Sequence, residues 1–312
     1  MGGLSKKFIA SASIIKPLRQ SACYTSSVTS PGYNYGLSGK GKSKSKVVSN
    51  FPVVKGEVLF GLHPVSMALK SHRRDVVHNV FIDKKFHAED NDSPVGKVLQ
   101  LASKHHHTIK AVSREVLDQL SGNRPHQGVC MDVDSLRIPE WCEQDLPKTS
   151  TNFPFWLLMQ NIMDPMNFGA ILRTAYYLGL DKIIVPANNS CRPSPVVSKA
   201  SAGAMEVVDL VHLAPNTTES KLCSWWKDQG GEVVGTGVSD DSKCIQLNTF
   251  KMTRPTLLIL GNEGSGISKE LEEICDTMIR IPGQVYPSTT QIDSLNVSVA
   301  AGILMHWMKA LR

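Results

Sequence analysis

From residue 155 onward the sequence repeats one pattern, in which a short apolar run is followed by a stretch with helical spacing. Continuous apolar runs are typical of strands that are buried on both faces, and their alternation with helices predicts a mostly parallel sheet between two helical layers. The sequence therefore predicts an α/β fold here. The runs interpreted as strands are 155–160, 182–185, 207–213, 232–236, 256–260 and 277–281, and a last apolar helix covers 294–311.

A second and smaller α/β pattern precedes this region. Strand-like runs, such as 76–83 and 129–133, alternate with helical runs, and the whole unit has the size of a small domain. A polar stretch with two prolines and clusters of Ser and Thr follows it and is typical of a linker. We therefore expect a small domain at 56–133, a linker at 134–153 and a larger domain at 154–312.

The basic charge of the chain is concentrated at its start. Residues 1–56 contain nine Lys or Arg and no Asp or Glu, so subtracting them from the net charge of +6 leaves −3 for the remainder. Serines and apolar residues accompany these cations, which is the composition of a mitochondrial transit peptide. We expect residues 1–50 to be a transit peptide and a flexible basic linker, with the mitochondrial matrix as destination. The alternative is a basic tail that contacts nucleic acid.

The cysteines and histidines do not form a metal-binding pattern. Seven scattered cysteines without a Cys-x-x-Cys pair fit reduced thiols. His105, His106 and His107 are consecutive, but neighbouring side chains point in different directions, so a solvated helix end is favoured over a chelate. We expect no metal site. The sequence also has no apolar run of about 18 residues, so we expect no membrane insertion.

The first of three unusual motifs covers 161–175. Asp164 followed by Pro165 predicts a helix start, with Asp as the N-cap. Asn167 and Arg173 lie six residues apart, a rotation of about 120° on a regular helix, so they do not share a face unless the helix start is irregular. A capped surface helix that carries one arginine remains an alternative. Apolar positions at helical spacing are expected to face the core: Ile171, Ala175 and Leu178.

The second motif follows the strand at 256–260. Its glycines permit positive φ or a close backbone approach, at the carboxyl end of a parallel strand, where α/β sheets bind ligands. Glu263 among these glycines has no evident structural purpose, and the loop lacks the Gly-Lys-Ser/Thr of a phosphate-binding P-loop. The glycines are Gly261, Gly264 and Gly266.

The third motif lies where the last helix begins. We expect Asp293 or Ser294 to cap this helix and Asn296 to lie just inside it. Asparagine is unfavourable inside a helix, so either a cap or a functional role explains it.

In this order, the three motifs resemble those of the SpoU family of RNA ribose 2′-O-methyltransferases. Residues 56–133, with His126-Gln-Gly-Val129, are similar to the ribosomal-protein-L30-like (L30e-like) substrate-binding domain that precedes this core. The resemblance implies a SPOUT fold with a trefoil-knotted catalytic domain, which is an exception to the usual absence of knots. One departure is the connection at 283–293, which is longer than is usual in the family.

The resemblance also implies a site and its partners. S-adenosylmethionine would be held by the backbone of Gly261, Ile281 and Leu295, and the enzyme would be a homodimer. With the leader, the implied activity is 2′-O-methylation of a guanosine in mitochondrial large-subunit ribosomal RNA, either naked or in an assembling particle. The catalytic surface, formed partly across the dimer, would comprise Asn167, Arg173, Glu263, Ser294 and Asn296.

Two other functions stay open at this point. An RNA-binding ribosome-assembly factor could keep the fold without the activity. A Rossmann-type cofactor enzyme could use Val234-Gly-Thr-Gly237 as its glycine turn, although this segment lacks a third glycine.

Overall fold

The computed structural model describes residues 51–86, 92–143, 153–237, 244–262, 264, 266–283 and 294–310, and these contain two sheets. The expected transit peptide at 1–50, Glu263, and residues 284–293 lie outside these ranges. The trefoil knot implied by the resemblance stays a prediction. Among the described helices, none has the length and apolarity to cross a bilayer.

The first sheet has four strands in the order β1-β4-β2-β3. Strand β2 is parallel to β3, and the other neighbours are antiparallel. Helices α1 and α2 pack on one face and α3 on the other. The elements are β1 (Glu57–Phe60), α1 (Leu62–Ser71), β2 (Val77–Asp83), α2 (Pro94–Lys104), β3 (Ile109–Val112), α3 (Arg114–Leu120) and β4 (Val129–Val133).

The second sheet has seven parallel strands in the order β7-β6-β5-β10-β8-β11-β9. The parallel α/β fold class predicted from the sequence is confirmed. The elements are β5 (Phe155–Met159), α4 (Pro165–Leu178), β6 (Lys182–Val185), α5 (Pro195–Ala200), β7 (Leu210–His212), α6 (Glu219–Asp228), β8 (Glu232–Thr236), β9 (Cys244–Gln246), β10 (Thr256–Leu260), α7 (Lys269–Ile274), β11 (Thr277–Arg280) and α8 (Val297–Ala310).

Strand β5 shows why this sheet is covered on both faces. Phe155, Leu157 and Met159 pack with α4, α5 and α8, whereas Trp156 and Leu158 pack with α6 and α7. Successive side chains of a strand point to opposite faces, so a wholly apolar run requires a helical layer on each side. All five residues are fully buried.

The structure departs from the sequence prediction at three elements. The strand predicted at 207–213 spans only Leu210–His212, because the turn after the 3₁₀ helix Ala204–Glu206 continues to Val208, whose backbone N–H donates to the Ala204 carbonyl at 3.0 Å. The last helix begins at Val297 and not at 294. Strand β9 was not predicted, because its three residues form a partly exposed edge strand without an apolar run.

The predicted linker does more than connect the two sheets. Its described part runs along the edge strand β7, where Trp141 N–H donates to the His212 carbonyl at 2.7 Å and His212 N–H donates to the Pro139 carbonyl at 3.0 Å. Leu136 and Trp141 are buried. This pairing covers an edge that would otherwise be open.

A buried arginine joins the small domain to the large one. Arg74, just after α1, makes a bidentate ion pair with Glu206, with N–O distances of 2.9 and 2.8 Å. It also contacts the Glu57 carboxylate and donates to the Asp134 carbonyl at 2.8 Å. Ser198 Oγ donates to Glu206 at 2.9 Å. The side chains of Arg74 and Glu206 are 1% and 0% exposed, so water does not screen this pair.

The two domains also touch through a glycine. Gly203 has φ +84°, and a Cβ there would lie 2.8 Å from Met67 Cβ and 2.9 Å from the His63 carbonyl of α1. Nearby, Arg73 Nη1 donates to the Val208 carbonyl at 2.7 Å. The close approach of α1 to the turn after α5 therefore depends on glycine at this position.

Candidate active site

Two of the sequence motifs leave the large sheet at the same edge. Strands β5 and β10 are parallel neighbours, so the residues after their carboxyl ends lie side by side. Asn262 Nδ2 donates to the Asn161 carbonyl at 3.1 Å, and Ser268 N–H donates to Gln160 Oε1 at 2.9 Å. The first and second motifs are therefore held together by direct hydrogen bonds.

The first motif forms the start of α4 as the sequence predicted. Asp164 Oδ2 accepts the backbone N–H of Asn167 at 2.9 Å, and Pro165 occupies the first helical position. Ile171 and Ala175 are buried and Leu178 is partly buried against the same core, which confirms the predicted inner face.

The third motif caps the last helix through Asn296, for which a cap was one of the two explanations drawn from the sequence. Asn296 Oδ1 accepts from Ser298 N–H at 3.0 Å, and the Asn296 carbonyl accepts the first helical bonds from Val299 and Ala300. The expectation that Asp293 or Ser294 caps this helix, with Asn296 inside it, is wrong, and the alternative that Asn296 is itself the cap is confirmed. An asparagine side chain at the cap satisfies an N–H group that has no partner within the helix.

The asparagines of the first and third motifs contact each other. Asn296 Nδ2 donates to Asn167 Oδ1 at 3.0 Å, which brings the starts of α4 and α8 together. Ser294 and Leu295, both exposed, directly precede this contact. The structure therefore brings one of the other predicted site residues, Asn296, into contact with Asn167.

Arg173 lies apart from this contact. Residue 167 belongs to the regular part of α4, so the rotation of about 120° applies, together with a rise of roughly 9 Å along the axis. The Arg173 side chain is exposed and lines a cavity of about 410 Å³. Within one chain, Arg173 and Asn167 therefore do not converge on one atom. Glu263 falls outside the described residues.

The glycine loop of the second motif is tightly closed. Asn262 and Gly266 exchange two backbone hydrogen bonds, at 3.0 and 2.9 Å. A Cβ at Gly261 would lie 2.2 Å from the Gly266 carbonyl carbon, and Gly266 has φ +66°. The prediction that these two positions need glycine is confirmed. Gly264 is different, because a Cβ there would meet its nearest atom at 3.4 Å.

Two of the residues predicted to hold S-adenosylmethionine, Gly261 and Ile281, lie on either side of the end of β8. Gly261 follows β10 and Ile281 follows β11, and these strands lie on either side of β8, roughly 10 Å apart at ~4.8 Å per strand. Thr236 and Gly237 at the end of β8 lie between them. Small residues and backbone groups at the carboxyl edge of a parallel sheet fit a nucleoside-containing cofactor.

The residues at the end of β8, Thr236 and Gly237, are not among the site residues predicted from the sequence. Their glycines suggested a Rossmann turn, but Gly235 lies inside β8, where a Cβ would be 2.5 Å from Met278 Sδ and 2.7 Å from Cys275 Sγ. The Rossmann interpretation is therefore wrong, since this glycine serves packing. The signal that could have placed Gly237 in the site was its position at the end of a predicted strand.

The cysteine nearest to the first motif is not a nucleophile at neutral pH. Burial, with a smaller contribution from Asp164, raises the pKa of the Cys191 thiol to about 11. The thiolate is the reactive form, so this arrangement does not favour covalent cysteine chemistry. In the part of the chain that the structure describes, no cluster of three His, Cys, Asp or Glu is placed to hold a metal ion.

Comparison with known protein families gives two adjoining matches. Residues 154–306 match the SpoU rRNA Methylase family. Residues 58–139 match the family described as RNA 2′-O ribose methyltransferase substrate binding.

Several full-length relatives are similar to this chain. A human (Homo sapiens) protein, "rRNA methyltransferase 1, mitochondrial", is 38% identical over 264 residues, which are 82% of this chain and 73% of the human protein. The protein of the same name from Schizosaccharomyces pombe is 31% identical over 85% of this chain and 94% of its own length. "23S rRNA (guanosine-2'-O-)-methyltransferase RlmB" of Shewanella oneidensis is 30% identical over 80% of this chain and 96% of its own.

A solved structure shares the fold. The SpoU methyltransferase AviRb from Streptomyces viridochromogenes, in complex with the cofactor AdoMet, aligns with a TM-score of 0.62 and 22% identity, covering 81% of this chain and 89% of that one.

Proposed function

The chain belongs to the SpoU rRNA methylase family, and we propose that it transfers the methyl group of S-adenosylmethionine to the ribose 2′-oxygen of a guanosine in mitochondrial large-subunit rRNA. The observation that carries this proposal is the contact between Asn296 and Asn167, which joins the first and third motifs beside the glycine loop of the second. The relatives that are named as mitochondrial rRNA or guanosine-2′-O methyltransferases support the substrate.

Arg173 is assigned to the 2′-oxygen. A ribose hydroxyl is a poor nucleophile, and a guanidinium with a pKa above ~12 does not accept its proton. The cation instead stabilises the negative charge that develops on the 2′-oxygen and holds the adjoining phosphate, whose oxygen takes the proton. The exposed position of Arg173 beside a cavity supports this assignment.

Asn167, Asn296, Glu263 and Ser294 complete the assigned site. The amides of Asn167 and Asn296 hold each other at 3.0 Å, so both orientations are fixed before RNA binds, and fixed geometry supplies much of the rate in such reactions. Glu263 and Ser294 are assigned to the same surface from the family motif.

The cofactor S-adenosylmethionine is the methyl donor of this family, and it supplies an electrophilic methyl group on a cationic sulfonium. The backbone of Gly261, Ile281 and Leu295 is assigned to hold it.

The test is methyl transfer from labelled S-adenosylmethionine to mitochondrial large-subunit rRNA, with product nucleosides resolved by mass. We expect 2′-O-methylguanosine with the full chain, and a kcat about 10²–10³-fold lower in Arg173→Ala. Arg254→Ala is the matched control, because Arg254 precedes β10 at the opposite edge of the sheet and contacts Glu232 at only 3.5 Å. Normal turnover in Arg173→Ala would refute the assignment. Cofactor binding without transfer to any RNA would favour the assembly-factor alternative.

The second partner in the proposal is another copy of this chain. Val299 and Ile303 are 51% and 39% exposed and lie four residues apart on one face of α8, and Leu295, which is 46% exposed, precedes this helix. Met166, at the start of the adjoining helix α4, is 59% exposed. An apolar stripe of this kind is typical of a subunit interface. A dimer also accounts for the separation of Arg173 from Asn167, because a second chain can supply the missing group.

Light scattering coupled to size exclusion tests the dimer. The full chain should have twice the mass of 34.2 kDa, and Val299→Glu, which places a charge in the stripe, should shift it to the monomer. A monomeric full chain at micromolar concentration would contradict this part of the proposal.

The small domain is assigned to RNA binding. A cavity of about 410 Å³ on it is lined by Lys85, Arg114 and Arg124, with the partly buried ring of Phe86. Its loop is ordered by His126, which bonds Asp118 at 3.0 Å and accepts from Gly128 N–H at 3.0 Å. Cations around an aromatic ring suit a nucleic acid chain.

The mitochondrial matrix is the proposed location. The basic, acid-free leader and the mitochondrial names of the relatives support it. A C-terminal fluorescent fusion of the full chain should enter the matrix and resist protease in intact mitochondria, whereas the fusion that lacks residues 1–50 should stay outside. Equal import of both would show that the leader is not the signal.

A further inference from the structure

The cavity beside Arg173 lies between the two domains. Its volume is about 410 Å³, which is within the range of roughly 300–1,000 Å³ that small-ligand sites occupy. Met67 of α1 contributes one wall, and α4 contributes another. Residues on the turn after α5 close it. The lining includes Met67, Arg173, Tyr176, Tyr177, Ser201 and Ala204.

Two neighbouring tyrosines stand at this cavity with large exposed areas. Tyr177 is 87% exposed and Tyr176 is 51% exposed. Single exposed aromatics are ordinary on protein surfaces, but here two rings adjoin both a cavity and a cation. Tyr177 follows Arg173 by four residues, so the two side chains lie on the same face of α4, about one turn apart.

Tyr177 lies eleven residues after Met166 on α4, which is roughly 16 Å along the helix axis. The light-scattering measurement below separates a role of Tyr177 in the dimer from a role in RNA binding.

A guanidinium beside an exposed aromatic ring suits one class of ligand. Proteins bind unpaired nucleotides by stacking bases on aromatic side chains and by placing Arg or Lys on the phosphates. The apolar walls at Met67 and Ala204 suit the face of a base, and the position of Arg173 suits the phosphate. The phosphate nearest to a ribose 2′-oxygen is the one on the adjacent 3′-oxygen, which links to the next nucleotide.

We propose that this cavity binds the nucleotide on the 3′ side of the methylated guanosine, with its base stacked on Tyr177 and its phosphate held by Arg173. The inference rests on the proposed function for the place of the target ribose. It makes Tyr177 an RNA-binding residue that positions the target, and it makes Met67 of the small domain part of the same binding site.

The test is filter binding of a radiolabelled transcript of mitochondrial large-subunit rRNA to the full chain without cofactor. We expect the Kd of Tyr177→Ala to rise about 5- to 100-fold, the range for loss of one base–aromatic stack, and Tyr177→Phe, which keeps the ring, to stay within about twofold of the unmodified chain. Phe153→Ala is the matched control, since Phe153 is 46% exposed and precedes β5 at the amino edge of the sheet. Its Kd should not change.

Two accompanying measurements keep the result unambiguous. S-adenosylmethionine affinity by calorimetry and mass by light scattering should be unchanged in Tyr177→Ala. An unchanged Kd, or a loss of dimer mass or of cofactor affinity, would overturn the inference. Once the methylated guanosine is mapped, an abasic residue on its 3′ side should weaken binding to the unmodified chain but not to Tyr177→Ala. If no RNA is methylated but the Kd still depends on Tyr177, the proposed function fails and the RNA contact stands.

Discussion

Replacing Arg74 by methionine should strongly destabilise the folded protein. The substitution keeps most of the apolar stem but removes the guanidinium, which leaves the Glu206 carboxylate at 0% exposure with Ser198 Oγ as its remaining partner among the bonds described above. Loss of one partner from a buried ion pair costs about 3–5 kcal/mol, because the other charge stays buried. For a chain of this size that corresponds to a fall in Tm of roughly 5–8 °C.

Urea unfolding followed by circular dichroism measures this cost, with Arg137→Ala as the matched control. Arg137 also pairs with a carboxylate, Asp75 at 3.2 Å, but the two side chains are 74% and 52% exposed. An exposed pair contributes about 0–1 kcal/mol. The double variant Arg74→Met/Glu206→Met should be more stable than the single Arg74→Met variant, because no carboxylate remains unpaired at position 206. Equal costs for Arg74→Met and Arg137→Ala would refute the reasoning.

The pH dependence gives this prediction a second check. Burial raises the pKa of the Glu57 carboxyl above its ordinary value, and Arg74 opposes that rise. Without Arg74 the pKa of Glu57 should rise further. A carboxyl with a raised pKa in the folded state takes up its proton more readily when folded, so stability increases as the pH falls toward the ordinary Glu range. The cost of Arg74→Met should therefore be smaller at pH 5 than at pH 8.

Two further predictions concern the cofactor loop and the thiols. Gly261→Ala should lower S-adenosylmethionine affinity measured by calorimetry at least about tenfold, because its Cβ would lie 2.2 Å from the backbone of Gly266 and the loop must move. Gly264→Ala, with its nearest atom at 3.4 Å, should bind normally, and equal effects would contradict the assignment. Burial raises the pKa of the Cys130 thiol to about 12, so iodoacetamide at pH 8 should label the exposed Cys142 but not Cys130, as read by peptide mass. Labelling of Cys130 in the native protein would show that the small domain opens.

Buried strands were the elements that the sequence predicted best. The bounds of β6, β8 and β10 match the prediction, because each is a short run that turns or polar residues delimit on both sides. Strand β9 was missed because an edge strand of three half-exposed residues has no such run. Its pairing with β11 is a tertiary contact that local sequence does not encode.

The site was predicted in part, and the limits have physical causes. The cap by Asp164 follows from local chemistry and was correct. The cap by Asn296 was only one of the alternatives, because Asp293, Ser294 and Asn296 are all good caps and only the packed helix selects one of them. The contact between Asn296 and Asn167 joins residues 129 positions apart, so spacing along the chain could not reveal it.

The ion pair between Arg74 and Glu206, which joins the two domains, could not be predicted from the sequence for a similar reason. In the sequence, Arg74 is the second of two consecutive arginines after a predicted helical stretch, and Glu206 is an isolated acidic residue before a predicted strand. Their burial depends on the turn after α5, where Gly203 lets α1 approach. No local pattern indicates that two such residues are partners.

The segment from α5 to Glu206 makes the two domains hard to separate as modules. Lys199 Nζ donates to Gln127 of the small domain at 2.9 Å, Ala204 lines the cavity beside Arg173, and Glu206 holds Arg74. A chimaera that carries a relative's small domain would lose these three interactions, unless the segment from α5 to Glu206 were exchanged as well. Substitutions that alter this segment therefore affect the small domain, the cavity and the buried ion pair at the same time.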